Sequence, residues 1–307
     1  MRVVTQLAAG GSPNEIGAVS VERLVIRAES QRWTEPEVSP GYRLTFVRQG
    51  IFRARVGGHV LLADPALAYA AGPGVEHSIA HQVGTQDVCT SVMLPAELLT
   101  GLVPADRPLG VSVPVSGAVA VAERLLVARA RQQADGFELA ERATRLAASL
   151  LAAGASAQGA PAAATRASGV LDPGVLDPAV LNPGAPAPAA VRRPATAAAQ
   201  RRLADDARQA LAADPARLGL ADLARRVGCS PHHLSRVFHR ETGMTLTRYR
   251  RRILVLAALD GIEAGERDLS GLAARLGFAD HAHLTRTVRQ ECGRPPRDLR
   301  RLLAGPN

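Results

Sequence analysis

LADLARRVGCSPHHLSRVFHRETGMTLTRYR, residues 220–250, is followed by LSGLAARLGFADHAHLTRTVRQECGRPPRDLR, residues 269–300, and the two segments are versions of one pattern. Leu220, Leu223, Ala224 and Gly228 recur 49 residues later as Leu269, Leu272, Ala273 and Gly277. Beyond the glycine the offset becomes 50, so that Leu234, Arg236, Gly243 and Arg250 correspond to Leu284, Arg286, Gly293 and Arg300. A turn accepts one inserted residue and a helix does not, so each copy reads as helix, tight turn, helix. In the first copy Leu220, Leu223, Ala224 and Val227 fall at i, i+3, i+4 and i+7, one face of a short helix. Gly228 supplies the positive φ that ends it. Ser230 offers a hydroxyl N-cap, and Pro231 sits at the first helical position, where a missing N–H costs nothing. The helix that follows buries Leu234, Val237 and Phe238, stops at Gly243, and turns His232, Ser235, Arg236, His239 and Arg240 outward. In the second copy Asp280 is the cap, Leu284 and Val288 face inward, and His281, Ala282, Thr285, Arg286 and Arg289 face out. Two helices about a short glycine turn form the geometry that lays the second helix in a DNA major groove.

Charge agrees with that reading. All 37 basic residues are arginine, and residues 199–307 hold 20 of them against 12 acidic residues, a net of +8. The other 198 residues hold 17 against 16. A GC-rich genome explains arginine over lysine, but not a basic excess concentrated in the half that holds the duplicated motif, which is the footprint of a DNA-binding face.

The runs SPHHLSRVFHRETGMTLTRYRRRI and GFADHAHLTRTVRQECGRPPRDLR, the latter with its Gly-x-x-Pro element, resemble the DNA-binding domain of the AraC/XylS family of bacterial transcription regulators. The resemblance covers about the last hundred residues. It implies two recognition helices held about one turn of DNA apart by a long helix, here 246–263, with Tyr249, Ile253, Leu256 and Ala257 on its apolar face. Carried over by position, the base-facing residues are His232, Ser235 and Arg236 in the first helix, and His281, Ala282, Thr285 and Arg286 in the second. The family commonly has phenylalanine where this chain has Leu284 and Val288, which predicts a smaller core under the second helix. Arg240, Arg248, Arg251, Arg289, Arg297 and Arg300 are expected on phosphates, which position without specifying. Arg252 is expected to pair within the domain.

A chain of 307 residues is long enough for two domains. No run approaches the ~18–20 apolar residues of a membrane span. The opening MRVVTQLAAGGSPNEIGAV lacks the pattern of a signal peptide. Cys89, Cys229 and Cys292 are scattered and odd in number, which argues against a disulfide framework and for a reducing, cytoplasmic setting.

Residues 1–115 carry short apolar runs at 21–27, 43–48, 52–56, 60–63 and 67–70, punctuated by Pro36, Pro40–Gly41, Gly50, Gly57–Gly58 and Asp64–Pro65. That rhythm predicts an all-β barrel or sandwich. The segment 41–79 resembles the small cupin-type barrel that precedes the DNA-binding domain in many relatives of the family, which implies a sensor domain for a small effector. Trp33, Tyr42, Phe46 and Tyr69 are candidates to line its cavity, with a plain core role as the alternative. Glu76, His77, His81 and Cys89 raise a second possibility. His77 and His81, four apart, share a strand face, and a turn at 83–85 would return Cys89 beside His81. Two imidazoles and a thiolate suit Zn²⁺ or a similar ion. The alternative is histidines at a barrel mouth and a buried cysteine acting as a small hydrophobe.

Residues 116–153 show helical periodicity broken near Asp135–Gly136, a helix pair that packs either on the barrel or on a second copy as a homodimer. Residues 154–198, dominated by alanine and proline with GVLDP, GVLDP and AVLNP in succession, read as a disordered or semi-rigid linker. Helix returns at 197–212 and opens the DNA-binding domain, 199–307.

The whole is therefore expected to be multidomain, β followed by α: a cupin-like barrel, a helix pair, a linker, and an all-α domain with two helix-turn-helix motifs. The function expected is that of an effector-controlled, sequence-specific transcription regulator. Its partners would be double-stranded DNA, an unidentified small effector and, for an activator, RNA polymerase, with no membrane and no required cofactor. The alternative class is a metal-dependent cupin enzyme fused to a DNA-binding module, although the His-x-His pair of such enzymes is missing. A DNA-repair methyltransferase needs four zinc-binding cysteines and a reactive one, which this chain does not have.

Overall fold

The computed structural model describes residues 2–9, 18–102, 112–158 and 194–304. Most of the Pro-rich repeat region expected as a linker, 159–193, lies outside the described residues.

Among the described residues ten strands make two antiparallel sheets. The larger runs in the order β1 (Arg2–Ala9), β2 (Ser20–Arg27), β9 (Gln86–Leu94), β4 (Tyr42–Gln49), β7 (Leu67–Ala71), β10 (Ser112–Pro114). The smaller runs β3 (Glu37–Val38), β8 (Glu76–Ala80), β5 (Phe52–Val56), β6 (His59–Ala63). The alternation of side chains decides what each sheet face does. On the inner face Leu24, Ile26, Val47, Tyr69 and Cys89 of the large sheet meet Phe52, Ala54 and Val56 of the small one. On the outer face Val21, Leu44, Phe46, Ala68, Ala70 and Val92 pack instead on helices.

Those helices are α1 (Gly117–Arg131) and α2 (Gly136–Gln158), broken where the sequence predicts. Leu126, Leu139, Ala143, Leu146 and Leu150 are fully buried within this chain, so the pair spends its apolar face on its own sheet. The backbone of α2 runs five residues past the expected end, and α3 (Pro194–Ala213) starts three residues early with proline at its first position. Alanine-rich sequence favours helix at both ends of the region expected as linker.

The remaining elements are α4 (Leu220–Arg226), α5 (Pro231–Thr242), α6 (Leu246–Glu263), α7 (Leu269–Arg275), α8 (His281–Cys292) and α9 (Pro296–Ala304). The connecting helix α6 matches its expected bounds. Two cores serve this half. One gathers Leu211, Leu223, Leu234, Phe238, Tyr249 and Ile253 from α3 to α6. The other joins Leu272, Leu284, Val288 and Leu299 to the α1–α2–sheet core in one continuous cluster. Among the described residues no helix is long and apolar enough to cross a membrane.

Candidate nucleic-acid interface and effector cavity

The two reading helices are set by the same devices. Gly228 (φ 72°) and Gly277 (φ 73°) make the turns, in the left-handed region where a side chain is strained. Ser230 Oγ accepts from His233 N at 3.2 Å, and the Asp280 carboxylate accepts from His283 N at 2.6 Å. The bond from the His283 backbone holds the Asp280 carboxyl below its usual range. Gly243 (φ 69°) and Gly293 (φ 75°) close α5 and α8 with bonds back to the His239 and Arg289 carbonyls. Leu234, Val237 and Phe238 under α5, and Leu284 and Val288 under α8, are buried to 0% exposure, which fixes the rotation of each helix. His232, Arg236, His281, Ala282 and Arg286 are thereby exposed, with Ser235 and Thr285 half-buried beside them. Thr285 Oγ1 lies 3.3 Å from His281 Nε2, so these two are tied within one face.

The arginines expected on phosphates divide. Arg240, Arg248, Arg289 and Arg297 are exposed. Arg251 turns to Gln290 and Glu291, and Arg300 donates to the Glu266 carbonyl. Arg250, the counterpart of Arg300, donates to the Pro215 and Ala216 carbonyls. In each copy the same arginine clamps the loop that leads into the first helix, a structural role that the repeat offset had already paired. Arg252 is buried against Met244 Sδ at 3.7 Å rather than in an ion pair, and burial, then Arg248, lowers its pKa.

This half is docked on the β-domain through buried charge. Asp64, 0% exposed in the β6–β7 turn, accepts from Arg208 Nε at 2.7 Å and from the Tyr249 hydroxyl at 2.6 Å. Burial would lower the Arg208 pKa, but Asp64, Tyr249 and Asp205 hold it above its ordinary value; burial and then Asp64 push Tyr249 well up. On the other side Arg48 bonds Glu123 at 2.9 Å, Asp260 at 2.9 Å and Glu263, and Arg124 reaches Asp260 at 2.6 Å. At Gly117 the start of α1 lies so close to the Glu291 carbonyl of α8 that a Cβ would collide with it.

Within the β-domain a cavity of about 370 Å³ opens between the sheets. Trp33 and Tyr69 line it, as the sequence suggested, with the Arg55 guanidinium 4.4 Å over the Trp33 ring. Tyr42 and Phe46 do not. They alternate onto the outer face with Leu44, and Phe46 is buried against the helices. Sequence reasoning missed Arg43, Thr45 and Ser91, which line the cavity; the inner-face alternation of β4 and β9 was the signal for them.

His77 and His81 both line this cavity, but the turn at Gly84 brings Asp87, not Cys89, to His81, with Nδ1 and Oδ2 2.6 Å apart. Asp87 also accepts from Ile51 N at 3.0 Å. His77 lies 3.7 Å from Glu37, and Cys89 is buried in the apolar inner core, where burial and then Asp87 push its thiol pKa up. Among the described residues no three His, Cys, Asp or Glu side chains are grouped to hold a metal.

A helix-turn-helix domain model matches residues 223–302. The regulatory protein SoxS of Salmonella typhimurium is 35% identical over 82 residues, a match that covers 26% of this chain and 76% of SoxS. The chain belongs to the AraC/XylS family. The transcriptional activator RhaR of Yersinia pseudotuberculosis is 34% identical over 67 residues, 22% of this chain; the match spans only 23% of RhaR. Among solved structures, the DNA-binding domain of AdpA in complex with a target DNA is 26% identical over 32% of this chain and 88% of that one, with a TM-score of 0.30. ToxT from Vibrio cholerae is 9% identical and covers 94% of this chain and 99% of its own, with a TM-score of 0.33. The AraC/XylS assignment thus rests on the helical half, and its members are transcription regulators.

Proposed function

We propose that this AraC/XylS member is a sequence-specific DNA-binding transcription regulator whose β-domain binds a small effector. The observation that carries the reading is the pairing of α5 and α8. Their outward residues stand at matching positions on helices with matching caps, and the same arginine clamp recurs in each unit. Arg236 and Arg286 read guanine edges, each bidentate contact contributing ~1–3 kcal/mol of discrimination. His232, Ser235, His281, Ala282 and Thr285 complete the two base-facing sets. Arg240, Arg248, Arg289 and Arg297 hold phosphates. RNA polymerase, a second copy of the chain and a cytoplasmic setting belong to the same proposal.

The test is selection of binding sites from random DNA at fixed salt, with the wild type, Arg236→Ala and Arg286→Ala. The expected motif has two parts about one helical turn (~10 bp) apart, and each variant relaxes one part. Binding that is salt-sensitive and blind to sequence would overturn it. The alternative, a metal-dependent cupin enzyme, has no donor cluster among the described residues to favour it.

A further inference from the structure

The two reading helices are copies in frame, yet they present different chemistry. Leu234 under α5 and Leu284 under α8 are both buried to 0% exposure, and both helices start and stop on equivalent caps. The helices therefore share one rotation, and residues 50 apart in sequence stand at equivalent places on the outward faces. Arg236 and Arg286 correspond, and both are exposed. Around them the faces diverge. His232 is matched by Ala282, Ser235 by Thr285, and Pro231 by His281.

Beside its arginine the first helix carries an imidazole and a hydroxyl. Four residues before that hydroxyl stands Pro231, whose ring has no polar atom to bond it. The second helix carries a bare, exposed methyl at Ala282, in the place of the imidazole. Four residues before Thr285 stands His281, and Thr285 Oγ1 lies 3.3 Å from its Nε2. The threonine hydroxyl is thereby turned back along its own helix. What Thr285 adds beyond Ser235 is a methyl group. The second arginine thus has methyl groups as neighbours where the first has groups that donate and accept hydrogen bonds.

The major groove makes that difference readable. Of the four bases thymine alone shows a methyl there, at C5, and alanine and the threonine methyl are side-chain partners that suit it. The other base edges show donors and acceptors. An alanine set against one of those would exclude water and return no bond.

We propose that α8 reads thymine: the methyl groups of Ala282 and Thr285 pack on a thymine C5-methyl beside the guanine held by Arg286. The first helix reads its part of the site by hydrogen bonds alone. The proposal rests on the reading of α5 and α8 as the base-facing helices, and it names the base feature that tells one part of the DNA site from the other.

The experiment takes the two-part site that the full chain selects from random DNA and replaces its thymines by deoxyuridine, one part at a time. Uracil pairs as thymine does and lacks only the methyl. At fixed salt, uracil in the part that Arg286→Ala relaxes is expected to weaken binding about fourfold, the contribution of one methyl-sized group, against less than about twofold in the other part. Ala282→Gly is expected to bring the thymine-to-uracil ratio toward one, and Thr285→Ser, which keeps the hydroxyl, to lower it. The ratio on the wild type is read even if a variant does not fold. Four results would overturn the thymine reading while two-part recognition stands: no thymine in the second part, uracil bound there as well as thymine, an equal loss from uracil in the first part, or a ratio that both variants leave unchanged. If no sequence-specific site is selected, both readings fall.

Discussion

The two helix-turn-helix units share a plan and differ in what stabilises them. The first has its own core: Phe238 packs edge-on against Tyr249 at 5.3 Å, amid Leu211, Leu223, Leu234 and Ile253. The second, with Leu284 and Val288 in place of aromatic bulk, has no separate core. Its buried residues belong to the cluster that continues through α1 and α2 to the outer face of the large sheet. One unit is gathered on a core of its own helices that meets the β-domain at Ala66, beside the contact of Arg208 and Tyr249 with Asp64. The other is built partly from the β-domain's own helices. A duplicated sequence has therefore yielded two units with different dependence on the sensor half.

The largest expected effect that tests this contrast is Phe238→Ala. It should cost about 3–5 kcal/mol and disorder the first unit alone, read as loss of amide protection in α4 and α5 while α8 stays protected. Leu284→Ala, about 2–5 kcal/mol, should instead lower protection in α8 and α1 together; loss confined to α8 would break the comparison. Asp64→Ala leaves Arg208 and Tyr249 buried without their shared acceptor and should cost about 3–5 kcal/mol, read as loss of amide protection in α3 and in the β6–β7 turn, where the same carboxylate accepts from Ala66 N. Gly117→Ala, whose Cβ meets the Glu291 carbonyl, should cost about 1–3 kcal/mol and raise protease sensitivity at the α1–α8 contact more than at α3–α5. The smallest effect separates the two kinds of arginine. Arg240→Ala should lower the slope of log affinity against log salt by about one without altering stability. Arg300→Ala should leave that slope near its original value and destabilise the second unit by about 1.5–3 kcal/mol.

Much of the reading apparatus was legible in the sequence because its determinants are local. Turn glycines, Ser230 and Asp280 caps and helical periodicity act over a few residues, and α6 came out with the bounds that they imply. The β-domain was legible only in rhythm. Strands β1, β8 and β9 carry mixed patterns whose pairing depends on partners far along the chain, and alternation gives β4 two faces without saying which is inner, so Phe46 reads as a cavity residue although it packs on the helices. The His77, His81 and Cys89 grouping failed to form for a related reason. A turn fixes which residues return to one another only to within a residue or two, and the return selected Asp87. Helix extends into both ends of the region read as linker because alanine favours helix and the first turn accepts proline, as at Pro194.

β7 carries Tyr69 in the cavity wall, and the turn that precedes it carries Asp64; Leu67 N donates to the Asp64 carbonyl at 3.0 Å, and Ala66 N to its carboxylate at 2.8 Å. From Tyr69 to Asp64 the chain spans about 16 Å at most, with Leu67, Ala68 and Tyr69 paired to β10, Tyr69 paired to β4 as well, and its turn laced by these bonds. Such a piece behaves as a push-rod: the cavity wall and the carboxylate from which the first reading unit hangs are two ends of one stiff part.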